Sequence, residues 1–577
     1  MIDALGRSRL SRRVFGFLLV ASVAISARAG DAVEKALPAN TFVYLKVDNV
    51  KNLKDSFNAS QMGQLWADQS MKPLKDKLAA SLEEANTKAK EAIGVSLEEL
   101  LDIPQGTLTV ALVSKDDPKV PFVALISADA GDNATKMAEV LGRVDKIAEA
   151  QGAKVATEEG TGATFHVIHM AEEDAPPLIW TQVGNVFHLS TDLDALKDFL
   201  ANAKGREDSL AASESFKQVA KKIDSDAHIT WYADANQLIN LAVRVAGENG
   251  VNGEEIAAQI QLTGLNGLKA LGGSVALNQG DFDSVTKIYF YAPAPLQGVL
   301  KLFSMPPTDL KPELWVPSTV ASYGTFSWEM DKFWGALTEL VDQFAPGQLE
   351  AAEKALGENL DVKKDIFGPL GKRVSIISDY KKPITDTSQR AVIAVQLSDA
   401  TGAQNTINKL IALAQADPKK RDFQGTTIYD FDLPAEFAGT GVTGPISIAI
   451  AKDYLFISTE PTLLEQILRG GGSSLADSAE FQAALKHIPA QVSMLNFDRP
   501  EDQVQVMYSM LTNDQFKMAL SQIQEQSPEG PKLDEFLDPK LLPAAKEIQK
   551  YFAPSGGYGI ASDDGFIMTS FTLKVPK

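Results

Sequence analysis

The chain has 577 residues, 55 basic against 75 acidic side chains, a formal net charge of −20 and no cysteine. That length supplies two to four hydrophobic cores. The acidic excess disfavours nucleic acid and anionic headgroups, and the lack of cysteine excludes disulfide staples, thiol nucleophiles and thiolate metal sites.

At the N-terminus Arg7, Arg9, Arg12 and Arg13 precede an apolar run from Val14 to Ile25, and Ala27-Arg28-Ala29 forms a small-x-small cleavage site. Residues 1–29 therefore read as an export signal, which places the mature chain in the periplasm or outside the cell. Ser11-Arg12-Arg13-Val14-Phe15 is similar to the twin-arginine motif, although Gly16-Phe17 depart from its continuation, so the twin-arginine and general secretory routes both stay open. The run is too short for a permanent anchor. No later stretch reaches transmembrane length, so no transmembrane anchor is expected.

The rest of the chain says nearly the same thing twice. LPANTFVYLKVD from Leu37 opens a first copy and WVPSTVASYGTF from Trp315 a second, with matched spacing from Pro38 to Tyr44 and from Pro317 to Tyr323. FVALISADAGDNATKMAEVLGRV from Phe122 aligns without a gap on VIAVQLSDATGAQNTINKLIALA from Val392. This puts Ala124 on Ala394, Asp129 on Asp399, and Met137, Val140, Leu141 and Val144 on Ile407, Leu410, Ile411 and Ala414. An apolar strand followed by an apolar helical stripe is expected in both. GATFHVIHM from Gly162 falls on GTTIYDFDL from Gly425, NVFHLSTDLDALKDFL from Asn185 on DYLFISTEPTLLEQIL from Asp453, and SLAASESF from Ser209 on SLADSAEF from Ser474. Each copy closes on a Gly-Gly, a strand, an acidic Gly turn and a strand, from Gly272 and from Gly556.

Taken in order, each copy reads as strand, helix, two strands, helix, strand, strand-turn-strand, helix, short helix, strand, helices and a closing strand pair. Alternation in Thr107 to Val113 and Ile446 to Ile450, with hairpin turns at Val183-Gly184-Asn185 and Asp563-Asp564-Gly565, makes the sheets antiparallel. The expected class is α+β: two homologous repeats, each of antiparallel sheet with amphipathic helices packed on it. Six prolines between Pro293 and Pro317 mark the boundary. The division is 1–29 signal, 30–295 first repeat, 296–314 a Pro-rich docked linker whose apolar patch includes Val299 and Phe303, and 315–577 second repeat. An approximate twofold relation between repeats fits the duplication, with their orientation open.

The Leu37-Pro38-Ala39-Asn40-Thr41 opening, followed by a strand with Tyr44 and an Asp-started helix, resembles a family of exported bacterial proteins catalogued as a domain of unknown function. The second copy opens as Val316-Pro317-Ser318-Thr319. The resemblance implies a secreted or envelope protein with duplicated α+β modules, and it carries no site residue onto this chain.

Chemistry-bearing residues are few. His166, His169 and His188 are the metal candidates, but residues three apart on a strand point to opposite faces. The repeat also places His166 on Tyr429, His169 on Asp432 and His188 on Phe456, which favours packing. His487 aligns with Lys222 and reads as solvated helix surface, and His228 stays unassigned. Asp281 with Asp283, and Asp563 with Asp564, read as turn residues. GPLGK from Gly368 lacks the length and hydroxyl of a phosphate loop. The glycine run from Gly470 reads as a helix-ending loop. Trp180, Trp231, Tyr232, Trp328 and Trp334 read as core before groove.

The combined reading is an exported, non-enzymatic binding or structural protein of the bacterial cell envelope, its partner an unnamed envelope protein or small ligand, with no cofactor and no catalytic residue assigned. The alternative is an exported hydrolase or metal-dependent enzyme with its site in the first repeat. A symmetric binder would use equivalent surfaces of both copies; an enzyme would concentrate polar residues in one.

Overall fold

A computed structural model describes residues 33–575 apart from 118–119, 172–174, 249–251, 358–359, 386–387, 433–443, 513–515, 517, 519–520 and 522–537. The signal segment 1–29 lies outside the described residues. Among those residues, no helix is long and apolar enough to cross a membrane.

Two sets of ten strands build one twenty-stranded sheet. The first set is β1 (Thr41–Val47), β2 (Leu108–Ser114), β3 (Phe122–Asp129), β4 (Lys154–Gly160), β5 (Ala163–His169), β6 (Leu178–Val183), β7 (Val186–Ser190), β8 (Ile229–Asp234), β9 (Ala270–Leu277) and β10 (Phe282–Tyr291). The second is β11 (Ser322–Ser327), β12 (Leu370–Tyr380), β13 (Gln389–Leu397), β14 (Lys419–Phe423), β15 (Thr426–Phe431), β16 (Ile446–Ala451), β17 (Tyr454–Ser458), β18 (Met494–Asp498), β19 (Ser555–Ser562) and β20 (Gly565–Leu573). The first half runs β4-β5-β6-β7-β3-β2-β1-β8-β9-β10, every neighbour antiparallel. The second repeats that order as β14-β15-β16-β17-β13-β12-β11-β18-β19-β20.

The halves join where β10 pairs antiparallel with β20. Thr286 faces Ser570 in that ladder, and these two occupy equivalent positions of the closing hairpins. An approximate twofold axis therefore passes between them, the isologous geometry of a homodimer interface built into one chain. The cores of the two repeats meet at this seam on the face carrying Tyr44 and Tyr323. Phe282 and Val285 of the first repeat pack on the second repeat's cluster, and Ile567 of the second packs on the first repeat's cluster.

The shared opening has a physical role. Thr41 donates its hydroxyl to the Pro38 carbonyl at 2.7 Å, and Pro38 bridges Ser209 as Pro317 bridges Ser474. The Tyr44 hydroxyl donates to Glu34 at 3.0 Å and that of Tyr323 to Glu313 at 3.5 Å. The proline thus ties each repeat's first strand to its later helices, and the tyrosine anchors the segment before it.

Three sequence readings change. The strand-to-helix unit is displaced from the gapless alignment. Thr191 and Thr459 make the same pair of bonds to Ala124 and Ala391, amide to carbonyl at 3.3 and 3.0 Å and amide to hydroxyl at 3.1 and 3.0 Å. Ala124 therefore matches Ala391 and not Ala394. From the helix caps at Asn133 and Asp399, Met137 and Val140 fall on Ala403 and Thr406, which are buried, while Leu410 is exposed. A strand rich in Ala, Val and Ile admits several alignments, and the ladder selects one. Second, four strands, not three, follow the helices Ala134–Ala150 and Ala400–Leu413. β4 and its counterpart β14 form the two outer edges and are largely exposed, so they carry no apolar alternation to read. Third, Asp283 is no turn residue: it is buried within β10 and accepts from the Gln61 amide at 2.7 Å.

The linker segment packs against both repeats. Its Gly298–Phe303 turn contacts helices Gly253–Thr263 and Met330–Phe344, the Trp328 indole donates to the Leu302 carbonyl at 3.0 Å, and Leu310 is buried.

Candidate functional site

The strands of the first repeat separate the histidines. In β5 and β6, His166 lies opposite Trp180 while Phe165 lies opposite Thr181, and Thr181 lies opposite His188. His166 therefore shares a sheet face with Trp180, and His188 lies on the other face with Phe165. His169 is exposed at the end of β5. Among the described residues, no group of three His, Asp or Glu side chains is placed to share an ion.

Four of the five histidines have a local role. The His166 ring stacks on Trp180 at 3.7 Å. Its Nδ1 lies 2.7 Å from Asp145, which also accepts from the Trp180 indole at 2.8 Å. Tyr429, its counterpart, accepts from Gln404 at 3.0 Å. His188 is buried with Nδ1 2.8 Å from the Ser127 hydroxyl, and burial pulls its pKa down to about 4. His228 accepts from the Leu277 amide on Nδ1 at 3.1 Å, so Nε2 carries the proton and donates to Ser56 at 2.9 Å; burial holds its pKa below the usual range. His487 is not solvated surface. It packs edge-on against Phe282 at 4.6 Å, across the seam, and faces Asp281 at 3.8 Å. Lys222, its counterpart, reaches across the same seam to Asp564 at 3.0 Å, so the two contacts are reciprocal.

The tryptophans serve packing. Trp180, Tyr232 and Trp334 are buried, Trp334 lies 4.7 Å from Phe367, and Trp231 lies over Gly273, where a Cβ would meet its indole nitrogen at 2.7 Å. The glycine run ends the helix Pro461–Arg469 with Gly470 and Gly471 at positive φ.

Divergence between the copies is sharpest beside the strand-to-helix unit. Each repeat places a six-residue helix before its second strand, Leu97–Asp102 capped by Ser96 and Val362–Phe367 capped by Asp361. The second is a π turn with one residue more before its strand, and the register of β1 with β2 and of β11 with β12 places Leu100 on Ile366 and Ile103 on Pro369. In the first repeat Leu100 and Ile103 are 2% and 0% exposed and pack with Met137, Val140 and Leu141 in a closed core. In the second, Ala403 and Thr406 stand in place of Met137 and Val140, with Pro369 buried and Ile366 half-buried beside them, and a cleft of about 640 Å³ opens there.

Asp365 and Lys409 form an ion pair at 2.7 Å inside this cleft, and the bond from Lys409 leads the causes that hold the Asp365 pKa below the carboxylate range. Thr406 donates to the Asp365 carbonyl at 2.6 Å. Asp399 caps the helix Ala400–Leu413 through the Gly402 amide at 2.9 Å, and a Cβ at Gly402 would meet that carboxylate at 2.4 Å. Lys364, Asn405 and Asn408 complete the polar lining, and Pro369 forms part of the wall. Gly368 and Pro369 belong to GPLGK, which lacks the pattern of a phosphate loop, and Asp365, Thr406 and Lys409 belong to no motif; the signal lies in the exchange of Met137 and Val140 for Ala403 and Thr406 once the helix caps are matched.

A family model described as "Protein of unknown function (DUF3352)" matches residues 21–284 and 343–528. The chain belongs to this family. Its two matched segments fall one in each half of the sheet, as a duplicated DUF3352 unit would. No curated protein and no solved structure matches the chain.

Proposed function

We propose that this DUF3352 protein is an exported, non-enzymatic binding or structural protein of the bacterial cell envelope that takes a small ligand in the cleft of its second repeat. The observation that carries the reading is the conversion of a closed apolar core in one repeat into a polar cleft in the other. Drift alone would leave an unfilled apolar void, which costs stability; here the lost volume is replaced by an ion pair and hydrogen-bonding groups facing solvent. The site belongs to one copy and is not the symmetric surface that a duplicated binder would first suggest. Its lining holds lysine, aspartate, asparagine and threonine without a histidine base, which supports binding over turnover. The basic and apolar leader supports export, with repeats at 30–295 and 315–577 and the docked connector at 296–314.

A thermal-shift screen of the full mature chain against polar small molecules tests this. A ligand at a hundred times its Kd should add about 2.7 kcal/mol of stability, and no shift with any of them would sink the ligand reading. Fractionation of cells expressing the complete chain tests export, with retention in the cytoplasm as the opposing result. The rival enzyme in the first repeat has the His166–Asp145 contact in its favour. It requires hydrolytic or metal-dependent activity that His166→Tyr abolishes.

A further inference from the structure

We infer that the cleft accepts a neutral polyhydroxylated ligand, a saccharide of one or two rings; this rests on the binding reading above and narrows it. The formal charges of the lining balance, Lys364 and Lys409 against Asp365 and Asp399. An anion entering would face two carboxylates and a metal cation two ammonium groups, each a repulsion that raises the cost of leaving water. The exposed wall is polar and apolar in near-equal parts, a mixture that matches the hydroxyls and ring faces of a sugar. A sugar meets none of these penalties.

The donors and acceptors also suit hydroxyl pairs. Asn405 presents an amide oxygen and an amide nitrogen on one plane, which lets it accept from one hydroxyl and donate to its neighbour. Lys364 supplies further donors, and neither side chain makes a protein hydrogen bond among the described residues. Asp365 is held ionised by Lys409, so its carboxylate stays an acceptor. The volume of about 640 Å³ falls within the span of small-ligand pockets. The first repeat cannot bind in the same place, because Met137 and Val140 fill it.

Titration calorimetry on the full mature chain, with glucose-based and N-acetylglucosamine-based disaccharides, glycine betaine and inorganic phosphate as separate probes, decides the matter. Asn405 is exposed, so Asn405→Ala and Asn405→Trp should leave the fold intact, which circular dichroism checks. The expected result is disaccharide binding, weakened about tenfold by Asn405→Ala through loss of paired hydrogen bonds and abolished by Asn405→Trp. Sugar binding unchanged in both variants, or no sugar binding by the wild type, overturns the proposal. Betaine or phosphate binding that Asn405→Trp removes would overturn the sugar class and leave the cleft as a site. If Asn405→Trp removes no binding of any probe, the cleft reading falls as well.

Discussion

His188 and Ser127 face each other across β7 and β3, and the matching positions of the second repeat are Phe456 and Ala394, which also face each other. The duplication has thus exchanged a hydrogen-bonded pair for an apolar pair at one buried site. His188→Phe alone strands the Ser127 hydroxyl, which is 3% exposed, and should cost about 1–3 kcal/mol. Adding Ser127→Ala should recover most of that loss, giving a strongly non-additive cycle in urea denaturation; additive losses would show that the two positions are not a unit. The same double variant changes the pH dependence. The His188 pKa is depressed in the folded state to about 4, so unfolding takes up a proton below the ordinary histidine value of about 6.5. Stability is complete above that value and falls, by on the order of 3 kcal/mol, as the pH drops to 4. We expect a flatter profile for the double variant in thermal melts between pH 7 and 4. Equal slopes would mean that His188 is not held neutral by burial.

At the scale of elements, the closing hairpins offer two turn glycines with different surroundings. Gly565 has φ +149°, and a Cβ there would meet the Phe290 carbonyl oxygen of the neighbouring repeat at 2.0 Å; Gly280 has φ +55° and no atom within 4 Å. Gly565→Ala should cost about 3 kcal/mol or more, through backbone strain and a forced shift at the seam. Gly280→Ala should cost about 1 kcal/mol from the left-handed backbone alone. Urea midpoints of the two variants rank them, and equal losses would argue against close approach at the β10–β20 ladder. These hairpins were readable from sequence because Gly-Gly and an acidic Gly turn recur in both copies. The strand-to-helix unit was readable in kind and not in register: Ala124 matches Ala391 through bonds to threonine that only the folded ladder reveals. β4 and β14 left little pattern because most of their side chains meet water, with Val155 and Phe423 packing on the cores. The cleft was hidden for another reason. Ala403 and Thr406 look like ordinary helix residues until the caps at Asn133 and Asp399 place them where Met137 and Val140 close a core.

For the whole molecule, the question is whether two homologous halves behave as two domains. Besides the seam ladder, the halves share a separate cluster in which Leu65 and Met71 of the first repeat pack with Val504 and Ile548 of the second. Beside it Lys550 and the Tyr551 hydroxyl both reach Asp68, and Gln61 donates to the Leu573 carbonyl at 3.1 Å while accepting from the Val575 amide at 3.0 Å. On the far side of the axis the connector is held between helices of both repeats. Separating the halves would expose a sheet edge and apolar side chains on each, so neither has an independent way to satisfy its β10 or β20 backbone. We therefore expect one cooperative unfolding transition, with tryptophan fluorescence and far-ultraviolet circular dichroism coincident in urea. Leu65→Ala, which removes a side chain 6% exposed in the shared cluster, should move that entire transition by about 2–5 kcal/mol. Two transitions, with Leu65→Ala shifting one and sparing the other, would show that the halves are held together by the chain and not by the sheet.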